Sequence, residues 1–67
     1  MRVTIILNGN DAVVQSNRLD LLLDELGYAD AVVATALNED FVPRDKRPET
    51  TVQEGDRLEV VAPLQGG

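Results

Sequence analysis

The sequence predicts a two-layer α+β domain, and three observations carry that expectation. An Asn8-Gly9 step separates two apolar, β-branched runs, a single leucine stripe follows at helical spacing, and the chain's last regular stretch alternates like a strand. One helix has one apolar face, and one face of a sheet must cover it. The chain has 67 residues, enough for one small core and no second one. It has no cysteine and no histidine, which removes disulfides, thiolate nucleophiles and the usual zinc ligand sets. At 43% hydrophobic residues it can still fold on packing alone.

Taken in order, Val3, Ile5 and Leu7 share one side of a first strand, and Arg2 and Thr4 the other. Ile6 interrupts the polar side, as expected of a strand that is central or covered on both faces. Asn8-Gly9 suits a type I′ turn, which needs positive φ at both positions, and Val13 and Val14 continue into an antiparallel partner ending near Gln15. Ser16 and Asn17 are both N-cap residues, and Asp20, three positions after Asn17, completes a variant capping box. Leu19, Leu22, Leu23 and Leu26 form one helical face, with Leu21 off the stripe and partly exposed. Gly27 stands where a left-handed residue ends a helix, with Tyr28 placed for the hydrophobic contact that follows.

Ala31 to Leu37 is nearly all apolar and reads as a strand buried on both faces or too short to alternate cleanly. Asn38-Glu39-Asp40 forms a polar turn, and Phe41-Val42 a short strand cut by Pro43. Arg44 to Thr51 reads as loop or irregular turn, and it holds three of the six basic residues, Arg44, Lys46 and Arg47. These suit either a docking spot for acidic groups or a solvated loop. Gly55 gives Glu54-Gly55-Asp56 a tight turn. Leu58, Val60 and Ala62 then alternate with Arg57, Glu59 and Val61 in a last strand. A domain over residues 1–62 and a flexible tail over 63–67 are expected.

The formal charge of −6 argues against nucleic acid and anionic membranes, both of which reward clustered Lys and Arg. No apolar run reaches spanning length and no signal-peptide pattern opens the chain, so a cytoplasmic protein is expected. No nucleophile–base set is present to build an enzyme from. The tail Pro63-Leu64-Gln65-Gly66-Gly67 carries no charged side chain, and a free α-carboxylate after two residues without Cβ could enter a narrow channel. A glycine pair is equally what a frayed end or an expression scar leaves.

The hairpin, helix and strands in this order resemble the β-grasp, or ubiquitin-like, fold: a mixed four- to five-stranded sheet with one main helix on one face. The likeness sharpens in Asn8-Gly9, Ala36-Leu37-Asn38, Phe41-Val42-Pro43-Arg44, the Gly55-Asp56 turn and strand that follow, and Gln65-Gly66-Gly67. Over nearly its whole length the chain resembles the ThiS-type sulfur carriers of thiamine biosynthesis. The Val42-Pro43-Arg44 step favours that branch over the MoaD-like small subunit of molybdopterin synthase, although Lys46-Arg47-Pro48 stands where thiamine-branch members often carry tryptophan. The resemblance implies that the Gly67 carboxylate is adenylated and converted to a thiocarboxylate, with Leu64, Gln65 and Gly66 entering the partner's active site. It implies three partners: an E1-like, ThiF-type adenylyltransferase, a ThiG-type thiazole synthase and a sulfur donor protein. ATP and Mg would be bound by the activating partner, and this chain would bind no cofactor and no metal. A ubiquitin-like binding or conjugation module is the reading from another class.

Overall fold

The computed structural model describes residues 2–62. β1 (Val3–Leu7) and β2 (Asn10–Val14) pair antiparallel with Leu7 opposite Asn10 and Val3 opposite Val14. Asn8 and Gly9 close the hairpin at φ of 48° and 88°, the two positive values that a type I′ turn requires. Helix α1 spans Leu19–Glu25. Leu19, Leu22 and Leu23 are buried, Leu26 packs against them, and Leu21 is 43% exposed.

The two ends of α1 differ in how well they follow the expected chemistry. Gly27 takes φ 96°, its N–H donates to the Asp24 carbonyl, and the Tyr28 N–H donates to the Leu23 carbonyl. Those two bonds are the Schellman pattern, so the stop is as expected. The start is not. Arg18, and not Asn17 or Ser16, is the N-cap, and no side chain caps the helix. The Asn17 backbone is drawn instead into a cross-connection, its carbonyl accepting from Val52 N–H at 2.7 Å, while Leu19 N–H donates to Thr50 O at 2.9 Å. Asp20 turns to Arg18, accepting from Nε at 2.6 Å and Nη2 at 2.9 Å. Hydrogen bonding from Arg18 holds the Asp20 carboxyl below its ordinary value of 3.8. Its contribution to stability is therefore present above that value and is lost as pH falls through the lower folded one; exposure keeps it small.

β3 covers Ala34–Leu37, not Ala31–Leu37. Ala31 N–H bonds back to Tyr28 O at 3.1 Å, Val32 is 66% exposed, and the strand begins only where Ala34 finds a partner in Val61. Of the two readings of this run, the short strand holds and burial on both faces does not: Thr35 is buried while Ala34 is exposed, because no element among the described residues covers the second face. β4 (Asp40–Val42) returns antiparallel through Asn38 and Glu39, at φ 51° and 75°. The segment expected as loop forms a 3₁₀ helix over Arg44–Glu49. Lys46 N–H reaches Pro43 O at 2.9 Å, and Thr50 caps the end, its Oγ1 donating to Lys46 O at 2.8 Å. None of its residues is buried, so hydrophobic periodicity left no trace of it.

β5 spans Arg57–Val61, one residue short of the expected Ala62, which is exposed. The sheet order is β2-β1-β5-β3-β4, with β1 and β5 parallel at the centre. That is the β-grasp arrangement, and it explains Ile6: β1 is a central strand, with one face open. α1 covers the other face, over Ile5, Val14, Leu58 and Val52, each no more than 1% exposed. Val52, which joins the core from outside any strand, is held by its bond to Asn17. We expect Leu22→Ala to lower the free energy of unfolding by about 2–5 kcal/mol. Leu21→Ala, on the exposed side, should change it by no more than about 0.5 kcal/mol, both read from urea titrations.

Candidate functional site

The site residues expected from sequence, Leu64, Gln65, Gly66 and Gly67, lie outside the described residues. What is described is the strand that leads to them and the surface around its end. β5 is held on both flanks by asparagines at left-handed turn positions. On the β3 side, Asn38 Oδ1 accepts from Arg57 N–H at 2.9 Å and its Nδ2 donates to Asp56 Oδ1 at 3.1 Å. On the β1 side, Asn8 Oδ1 accepts from Val60 N–H at 2.8 Å and its Nδ2 donates to Val60 O at 3.1 Å. Neither side-chain role shows in the sequence, where Asn8 and Asn38 are fully accounted for as turn residues.

The helix-free face of the sheet carries an apolar surface beside the end of β5. Strand pairing puts Val61 opposite Ala34 and Phe41 opposite Ala36, all on the side away from Leu58, Val60 and Thr35. Phe41 is 68% exposed and Val61 is 61% exposed. Next to them, Ile6, Gly9, Glu39, Arg57 and Glu59 line a shallow hollow of about 220 Å³. The signals for this face were partial: Val61 falls among Arg57 and Glu59 by alternation, and Phe41 has opposite parity to the buried Val42. A large apolar residue in a short strand gives no hint of which face it takes until a register is known.

The three basic residues of the 3₁₀ segment do not gather into one anion site. Arg47 turns inward, its Nη2 donating to Val33 O at 2.7 Å and its Nε to Thr35 Oγ1 at 3.2 Å. Burial pushes the Arg47 guanidinium below its ordinary value, and the Arg44 charge adds to the effect. Lys46 lies 3.8 Å from Glu49, and Arg44 is exposed. A cleft of about 260 Å³ between α1 and this segment is lined by Asp20 and Asp24 as well as Arg44 and Arg47, which gives it no single sign. Among the described residues there is no cluster of His, Cys, Asp or Glu able to hold a metal ion. No helix among them is long and apolar enough to cross a membrane.

A β-grasp sheet whose last strand runs out beside an exposed apolar face can serve several families. A profile of the ThiS family matches residues 5–67. The chain belongs to the ThiS family. It is thus related to the sulfur-carrier proteins of thiamine biosynthesis. It is 36% identical over 61 residues to the sulfur carrier protein ThiS of Thermus thermophilus, covering 91% of this chain and 95% of that protein. The structure of thiamine biosynthesis protein ThiS from Geobacter metallireducens superposes with a TM-score of 0.80 at 30% identity, over 97% of this chain and all of that one. A thiazole synthase of Paramagnetospirillum magneticum is 33% identical over 64 residues, which cover 94% of this chain. This ThiS-family chain spans only 20% of that protein's length.

Within this member of the family, the buried Thr35 hydroxyl donates to Val42 O at 2.9 Å while accepting from Arg47. Thr35→Val should therefore lower the free energy of unfolding by about 1–3 kcal/mol, the range for leaving buried partners unpaired. Arg44→Ala should move it by no more than about 0.5 kcal/mol in the same denaturant titration.

Proposed function

We propose that this chain is a sulfur carrier whose Gly67 carboxylate is adenylated by an E1-like, ThiF-type enzyme and then converted to a thiocarboxylate. That thiocarboxylate delivers sulfur for thiazole formation in thiamine biosynthesis. The observation that carries the reading is the family match, which extends through Gln65, Gly66 and Gly67. In the first step a Gly67 carboxylate oxygen attacks the α-phosphorus of ATP and pyrophosphate leaves. In the second, hydrosulfide, with a donor protein as the source of this sulfide-level sulfur, attacks the acyl carbon; the C–O bond to AMP breaks, AMP leaves, and the terminus remains as a thiocarboxylate. ATP and Mg are held by the activating partner, since a carboxylate approaching a triphosphate needs cations that this tail lacks. No acidic side chain follows Glu59, so the chain adds no further negative charge near its end.

The chain acts as a covalent co-substrate and contributes no side chain as catalyst. Gly66 and Gly67 present backbone without Cβ to a confined site, and Leu64 offers an apolar grip. Residues 63–67 can span at most about 17 Å, so an active site holding Gly67 lies within that distance of Ala62. The partner's wall then covers the face beside β5, and we assign Phe41 and Val61 to the contact with the adenylating enzyme. A similar segment within a protein named thiazole synthase supports a thiazole synthase as the recipient of the sulfur.

Incubating the chain with ATP, a ThiF-type enzyme and a sulfide source should yield an intact mass in which one oxygen is replaced by sulfur. Absence of that species, while a known carrier forms it in parallel, would sink the proposal. Deleting Gly66 and Gly67 should leave the melting curve unchanged and abolish the product. Phe41→Ser should raise the KM for adenylation about tenfold or more, as for an exposed aromatic anchor of an interface, and leave the fold intact by circular dichroism.

A further inference from the structure

We propose that Asn8 is a positioning residue for the terminal chemistry: its carboxamide prolongs the sheet beyond β1 and fixes the direction in which the chain leaves toward Gly67. The inference rests on the carrier reading above. Along the parallel pair, Ile6 N–H donates to Asp56 O and Asn8 N–H to Leu58 O, each at 2.9 Å. The next step of a parallel ladder would need a carbonyl at residue 8 and an N–H at residue 10, both directed at Val60. That step cannot form, because the chain turns away at Asn8 and Gly9 and residue 10 already belongs to β2.

The Asn8 side chain fills both roles. Its Oδ1 stands in for the missing carbonyl, at 2.8 Å from Val60 N, and its Nδ2 for the missing N–H, at 3.1 Å from Val60 O. A carboxamide presents one acceptor and one donor in a plane, as a peptide group does; aspartate offers no donor and serine is too short to offer both sites at once. Val60 is 7% exposed, so its backbone groups would otherwise face little solvent. Beyond it, β5 is paired only with β3, through Ala34 opposite Val61. Among the described residues, the clamp is thus the last pair of bonds that β5 receives from the β1 side.

Asn8→Gly separates this role from the turn, because glycine accepts the positive φ but offers no amide. Asn8→Asp keeps the acceptor, loses the donor, and serves as a second test should the glycine variant not fold. For the folded glycine variant we expect Val60 amide exchange to rise, and kcat for adenylation by the ThiF-type enzyme to fall about tenfold or more with KM within about twofold, as for a reacting group held less well. Asn8→Asp should fall between it and the wild type. A merely structural role would lower the melting temperature and leave kcat unchanged at temperatures where every variant is folded. Wild-type kcat in either folded variant overturns the positioning role and leaves the carrier reading standing. A wild-type chain that is never adenylated overturns the carrier reading, and the catalytic part of this proposal with it.

Discussion

The parallel pairing of β1 with β5 is the contact on which the rest of this small domain depends. It joins Ile6 to Arg57 and Leu7 to Leu58, and backbone bonds run without a gap from Thr4, which accepts from Gly55 N–H at 2.8 Å, to Asn8. The partners lie about fifty residues apart, so this contact has the largest loop-closure cost in the sheet. That cost is offset by burial, since Ile5 and Leu58, on the helix-facing side, are both 0% exposed. Everything between the two strands is arranged to allow the pairing: the helix covers its inner face, and β3 closes its other flank. The segment at residues 50–52 ties the crossover back to the start of α1. The last described strand therefore lies at the centre of the sheet and not on an edge.

What was legible in the sequence is what local chemistry decides. Asn8-Gly9 and Gly27 demand positive φ and got it, and the leucine stripe chose its buried face by period alone. The same reasoning misjudged the start of α1. Asn17 is a good cap in isolation, but its backbone bonds Val52, thirty-five positions away, and no local rule reports that competition. Ala31 to Leu37 failed for a different reason. Small apolar residues count toward a buried strand, yet alanines on an uncovered face cost little to expose. The 3₁₀ helix has no buried residue and so no periodic signal. The tail residues were singled out by composition and resemblance, and the described residues bear on them only through the strand that precedes them.

The two faces of the sheet have different surroundings, and their exposed and buried residues follow from that. Among the described residues the α1 layer covers one face, and the other is open. Ubiquitous surface polarity would satisfy folding equally well there. Phe41 and Val61 depart from it on the same face, Val61 at the end of β5 and Phe41 on the edge strand β4, with β3 between them. Single exposed apolar residues are ordinary; two on one face form the patch that the proposed contact with the adenylating enzyme would use.

The proposed use follows from length. Five residues can span at most about 17 Å, so a partner holding Gly67 as proposed would also meet the sheet near Ala62. A short tether raises the effective concentration of the reacting carboxylate only if its origin is fixed, because freedom at the root is multiplied along the chain. The central position of β5 fixes the origin in place, and the Asn8 and Asn38 amides hold the strand on either side. A longer β1 could have supplied the Asn8 bonds from its own backbone, but it would have displaced the hairpin turn that frees Gly9 and the neighbouring surface. With the side-chain amide, the sheet gains one more step for β5 without extending β1, and the outer face stays clear where the proposed partner would approach.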